Sequence, residues 1–160
     1  MTGPSTEDRL QIYELYARYS WALDTGDTEG YVALFTPDAE ATEETREGGL
    51  EVRRGHDEIR KLVLKFHKRA DFPGHQHQMA QLVFEADPDG RADHWVVRSY
   101  AWQRSIDRQQ RLIFTGVGIF ATSWRRSMAS GRSGPRQSWD GRERFYLALE
   151  HPCQLSRLIR

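Results

Sequence analysis

Sulfur chemistry is nearly absent from this sequence, which has a single cysteine, Cys153, among its 160 residues. One thiol excludes an intrachain disulfide and any zinc site built from several cysteines. Net charge is missing as well. Twenty-three Lys and Arg balance 23 Asp and Glu, and the pI is near 7.0. That leaves no electrostatic footprint for nucleic acid and no attraction to an anionic membrane. No apolar run approaches the length of a membrane span. The stretch Met1–Arg9 lacks the basic-then-apolar order of a secretory leader, so none is expected. Gly116-Val-Gly118 lies inside a strand-like run with no helix after it, so it does not read as a phosphate-cradling loop. No serine or cysteine sits in a nucleophile elbow, and no internal repeat is present. These absences lead to an expected cytoplasmic globular protein with neither nucleic-acid nor membrane partners.

What is present suits one domain over residues 1–160, since this length buries a real core but is short for two. Five Trp, six Tyr and seven Phe supply bulk for a core or an apolar pocket. After a flexible 1–5, Ser5 is a natural N-cap, with Glu7 and Asp8 at the positive end of the helix dipole. Ile12, Leu15, Tyr16, Tyr19, Ala22 and Leu23 then recur at helical spacing until Gly26. Asp27 or Thr28 caps a short second helix carrying Tyr31, Leu34 and Phe35, stopped by Thr36-Pro-Asp38. Residues 39–54 read as two short polar strands around Gly48-Gly49. A third helix opens at His56-Asp57, puts Ile59, Leu62, Val63 and Phe66 on one face, and breaks at Pro73-Gly74. The period then changes from helical to two. Strands are expected over 75–86, 92–104 and 111–124, with Asp87-Pro-Asp-Gly90 as a hairpin turn and 105–110 as a loop. Helices followed by an antiparallel meander argue for an α+β domain with helices on one face of a curved sheet. Residues 125–138 are small, basic and aperiodic and read as an irregular loop before a final strand at Phe145–Leu149.

Several stretches occur in a telling order: Leu15–Asp27 with its Asp-Thr-Gly-Asp turn, Leu34–Ala39, Arg54–Ile59 and the His77–Phe84 strand. In these the chain resembles the SnoaL-like group of the nuclear-transport-factor-2-like superfamily, over about residues 6–124. The resemblance implies a cystatin-like cone, in which a strongly curved sheet wraps a deep apolar pocket closed by helices. It also implies a homodimer or homotrimer acting on a small molecule without a cofactor. Asp24 and His77 match the aspartate and strand histidine of members similar to scytalone dehydratase, dehydrochlorinase and bile-acid dehydratase. Tyr19 matches a helix tyrosine of the last type. Beyond residue 124 the pattern departs. Ser123–Pro135 lacks the tight Asp-Gly turn and Trp-containing strand of such proteins, by an inserted loop or a slipped reading frame. Arg136 and Arg142 are weak stand-ins for an arginine placed there.

Imidazole titrates near pH ~6.5 when unperturbed and suits a base at neutral pH. A carboxylate on its second nitrogen fixes the tautomer and stabilises the imidazolium that forms. This suits removal of a carbon-bound proton, with Tyr19 polarising a carbonyl or donating to a leaving hydroxyl. Strand alternation groups His75, His77 and Met79 on one face, and Val96, Arg98, Tyr100 and Trp102 on one face of the next strand. The resemblance makes the latter the pocket side, and Ser99 and Trp95 then belong to the opposite, subunit-facing side. The expected substrate-binding set is His75, Met79, Arg98, Tyr100, Trp102 and Phe35. None of the four strand positions is the Asp or His that related dehydratases carry. His75-x-His77 lacks a third ligand at diagnostic spacing, so no metal is expected. The reading is a cofactor-independent lyase or isomerase, dehydratase- or cyclase-like, acting on an apolar cyclic or polyketide-like molecule. The alternatives are a non-catalytic binding or assembly module of the same fold and, third, an epoxide hydrolase built on Asp24 and Arg98.

Overall fold

A computed structural model describes residues 3–44, 49–69, 72, 75–91, 94–106, 109, 111–125, 138–139 and 142–147, with side chains described up to residue 113 except those of 43 and 44. Three helices come first: α1 (Thr6–Thr25), α2 (Thr28–Val32) and, after a hairpin, α3 (Gly55–His67). The hairpin pairs β1 (Glu40–Glu44) with β2 (Leu50–Arg54); its tip at 45–48 lies outside the described residues. The meander is β3 (Gln76–Ala86), β4 (His94–Ile106) and β5 (Leu112–Arg125), followed by β6 (Ser138–Trp139) and β7 (Arg142–Leu147).

α1 starts at Ser5 because its hydroxyl accepts the Asp8 N–H while the Asp8 carboxylate accepts the Ser5 N–H, a reciprocal capping box. Pro4, in the expected flexible stretch, is buried, and its carbonyl accepts from Arg9. α1 stops at Gly26, whose φ of 81° is open to glycine at little cost. Asp27 caps α2 by accepting the Gly30 N–H at 2.9 Å. The expected final strand is β7, which begins three residues before the expected Phe145 and covers its first three residues; 148–149 and the loop residues 126–137 lie outside the described residues.

The sheet runs β2-β1-β7-β5-β4-β3, with β6 pairing β5. All pairs are antiparallel except β1 with β7, so the C-terminal strand joins the hairpin to the meander. β3 is therefore an edge, and α1 packs along it. The core takes Ile12, Leu15 and Tyr16 from α1, Tyr31 and Val32 from α2, Ile59 and Val63 from α3, and Trp95 and Val97 from β4. The register of β3 against β4 shifts between Ala80 and Val83, where Gln81 has φ 52°. This bulge bends the edge strand where α1 crosses it.

The β3–β4 turn closes on one buried carboxylate. Asp87 accepts from the Arg91 backbone N–H at 3.0 Å and from its guanidinium at 2.9 and 2.7 Å, with Gly90 at φ 71°. The hydrogen bonds from Arg91 hold the Asp87 carboxyl well below the usual carboxylate range, against the opposing pull of burial. A carboxyl whose folded-state pKa is lowered stabilises the fold above its unfolded value of ~4, and that stabilisation fades as pH falls through the folded value. Asp87→Asn should therefore cost about 1 kcal/mol at pH 7, tempered by the half-exposed arginine, and less in urea unfolding near pH 3. A penalty that does not shrink on acidification would contradict this account of the turn.

Candidate active site

Helical geometry decides which α1 side chains reach β3. Residues four apart differ by 40° in azimuth, so Tyr16, Ser20 and Asp24 form one inclined row. Tyr19 and Asp24, five apart, diverge by 140° and cannot share it. The row lies against the first half of β3, where His77 follows the Phe72 and His75 segment.

Asp24 there binds a single residue twice. Its Oδ2 accepts the His77 backbone N–H at 2.8 Å, and its Oδ1 lies 2.6 Å from His77 Nδ1. An ionised carboxylate only accepts, so in the neutral ring Nδ1 carries the proton and Nε2 keeps its lone pair. Both side chains are mostly withdrawn from solvent, 17 % exposed for Asp24 and 20 % for His77. Phe66 of α3 meets the His77 ring at 5.5 Å and 67°, and the His75 ring at 5.4 Å and 61°, so it flanks both imidazoles. His67 anchors the same corner. Its Nε2–H donates to the Leu23 carbonyl at 2.9 Å, and its Nδ1 accepts from the Thr28 hydroxyl at 2.9 Å, tying α3 to the residue before Asp24.

His77 opens onto a cleft of about 380 Å³ between α1 and β3. Tyr13, Tyr16, Ala17 and Ser20 form the helix wall; His77, Gln78, Met79, Ala80 and Leu82 form the strand wall; Trp102 of β4 completes it. Apolar surface with a few hydroxyls and one imidazole suits a small organic molecule better than a highly charged one. Among the described residues no group of three or more His, Cys, Asp or Glu is arranged to hold a metal ion.

The expected site residues distribute unequally over this geometry. Asp24 and His77 are in contact, and Met79 and Trp102 line the cleft. Tyr19 does not line it. It is buried between Tyr31 and Phe35, with ring centroids at 4.9 and 6.5 Å, and accepts the Tyr31 hydroxyl at 3.1 Å. Phe35 shares that aromatic core, and His75 is buried against Phe66. The face expected for β4 holds at Trp102, which lines the cleft, but is reversed in the first half of the strand, where the odd-numbered positions are the buried ones. Trp95, Val97 and Ser99 are accordingly buried, where Trp95 and Ser99 were expected on the subunit side. Tyr100 is 54 % exposed, and Arg98 pairs with Glu85 at 2.9 Å on the outer surface. The arginine that epoxide opening would take from this strand is thus turned away from Asp24. Tyr16 and Ser20 are cleft residues that sequence reasoning missed. Their four-residue spacing to Asp24 was the available signal, but Tyr16 also continues the apolar stripe and reads as core.

Residues 4–144 match the family profile described as SnoaL-like domain. No curated protein matches the sequence. Among solved structures, ActVI-ORFA from Streptomyces coelicolor is similar at 16 % identity and a TM-score of 0.73, covering 92 % of this chain and 100 % of its own. A cystatin-like protein of unknown function from Nostoc punctiforme is similar at 20 % identity and 0.69, over 94 % and 98 % of the two chains. A protein from Catenulispora acidiphila, solved in complex with S-DNPA, is similar at 18 % identity and 0.68, over 88 % and 95 %. These likenesses show the NTF2-like, cystatin-like α+β fold.

The proton on His77 is open to direct measurement. Nitrogen-15 NMR of the neutral ring should show the hydrogen on Nδ1. Asp24→Asn, whose amide donates to Nδ1, should move it to Nε2. An Nε2–H tautomer in the unaltered protein would contradict the arrangement.

Proposed function

We propose, from the premise that this chain belongs to the SnoaL-like domain family, that it is a cofactor-independent lyase or isomerase of an apolar cyclic or polyketide-like molecule. The family includes polyketide cyclases and isomerases. The observation that carries the reading is the twofold contact of Asp24 with His77, which leaves Nε2 as a base on the wall of the cleft.

The chemistry follows from the atoms. A substrate lying along the cleft presents an acidic C–H, next to a carbonyl, to His77 Nε2. Nε2 takes the proton and the ring becomes an imidazolium. The Asp24 carboxylate stabilises that charge through the Nδ1–H it already accepts, without rearrangement. The electron pair moves into the substrate, where it forms an enolate or expels a β-leaving group. The imidazolium then returns the proton to a different carbon, giving an isomer; to the alkoxide left when the enolate carbon bonds to a second carbonyl carbon of the substrate, giving a closed ring; or to the leaving oxygen, giving water. Ser20, on the facing wall one helical turn before Asp24, carries a hydroxyl suited to binding a substrate oxygen. The Catenulispora neighbour, solved in complex with S-DNPA on the same fold, supports a ligand site.

Proton abstraction has a readout that does not require the natural substrate. Cyclic aromatic ketones incubated with the protein in D₂O should gain deuterium at the acidic carbon. His77→Gln should slow that exchange by roughly 10²–10⁴ while leaving binding of the same ketone within a few-fold. Exchange that survives the substitution would overturn the assignment of His77. Binding without exchange in the unaltered protein would favour a ligand-binding module instead.

A further inference from the structure

β3 is an edge of the sheet, so alternate residues turn their backbone groups away from β4 and toward α1. The His77 N–H fixes which ones. It donates to Asp24 Oδ2 at 2.8 Å, so His77 is a position whose N–H points to the helix. Gln76, Gln78 and Ala80 are then the positions that bond β4. Met79 lies two residues on from His77, ahead of the register shift that follows Ala80, and turns its N–H to the same side. Met79 also lines the cleft. The edge of β3 thus offers the cleft the next backbone donor after the one that Asp24 takes.

The helix wall matches this spacing. α1 runs antiparallel to β3, with Asp24 on His77 at one end and Tyr13 against Phe84 at the other, ring centroids 6.3 Å apart. Four residues of helix advance about 6 Å, and two residues of strand about 6.8 Å. Ser20 is four residues before Asp24 and Met79 is two after His77, so the same spacing sets Ser20 against Met79. Both line the cleft. Among the described residues, neither the Ser20 hydroxyl nor the Met79 N–H is bonded to a protein group. Two donors from facing walls therefore open onto the cleft one step beyond the Asp24–His77 contact.

We propose that the Met79 N–H and the Ser20 hydroxyl form an oxyanion site, which holds the substrate's carbonyl oxygen one step along the cleft from the base. The proposal rests on the reading of His77 as a proton-abstracting base. As Nε2 takes the proton, the C–H electron pair becomes the C=C bond of an enolate, and the carbonyl π pair moves onto oxygen. Donors already in place bind that oxygen more strongly as an anion than as a neutral carbonyl, and so lower the barrier. The substrate class narrows accordingly. It is a ketone or ester whose carbonyl adjoins the acidic carbon, with its apolar body along Tyr13 and Trp102.

The test uses 2-naphthol, an aromatic mimic of the enol of 2-tetralone, with naphthalene as the probe that lacks the oxygen. In nitrogen-15 NMR spectra, 2-naphthol should move the Met79 amide proton downfield and naphthalene should not. Ser20→Ala should narrow the preference for 2-naphthol over naphthalene about tenfold, the factor one good hydrogen bond supplies. Met79→Pro removes the N–H without removing a bond to β4, because that N–H points away from the ladder. It should exchange deuterium into 2-tetralone roughly 10²–10³ more slowly than Met79→Ala, which keeps the N–H. A Met79 amide unmoved by 2-naphthol, or moved as far by naphthalene, would overturn the proposal whether or not the proline variant folds. So would equal exchange by the proline and alanine variants. His77→Gln should lose exchange yet keep the amide shift. Exchange with an unmoved amide therefore overturns this proposal and leaves the base standing, whereas an amide shift without exchange in the unaltered protein overturns the base and leaves the oxygen site standing.

Discussion

Asp24 commits both carboxylate oxygens to His77, one to the backbone N–H and one to the ring. Much of the site follows from that. The backbone bond ties the C-terminal end of α1 to the start of the edge strand, and this sets how far the helix stands from β3. The ring bond chooses the tautomer. A single carboxylate thereby positions the element and its reactive atom together, and the cleft is the space left between helix and strand beyond that tether.

Other contacts hold the tether in place. The Gly26 turn ends α1 two residues past Asp24, and His67 pins the Leu23 carbonyl from α3. Phe66 packs edge-on against the His77 ring, restricting its rotation. The bulge at Gln81 bends β3 so that Met79 and Leu82 both reach the cleft although three positions apart. An edge strand is suited to this, since a bulge there disturbs pairing on one side only.

Local signals carried most of the fold. Ser5, Gly26, Asp27 and the Asp87–Gly90 turn are punctuation whose chemistry acts within a few residues, and each stands where its chemistry requires. The contact of Asp24 with His77 was legible only through resemblance, because 53 residues separate the two. Tyr19 was misplaced by adjacency in sequence, as five helical residues rotate it out of the Asp24 row and into the Tyr31–Phe35 cluster. The faces of the first half of β4 were inverted for a related reason. Period two yields two sets of positions without saying which is inside, and burial of Trp95, Val97 and Ser99, with Tyr100 exposed, decides it there, while Trp102 does line the cleft. The bulge at Gln81 could not be read from the sequence, because it has no signature within the alternating run around it.

The claim on which the account turns is that Asp24 and His77 act as one unit in proton transfer. A double-mutant cycle on deuterium exchange measures this directly, using Asp24→Asn, His77→Gln and the pair combined. Residues acting as a unit are strongly non-additive, so the double variant should be no slower than the slower single variant within a few-fold. Rate losses that multiply in the double variant would show two independent contributions and contradict the central claim.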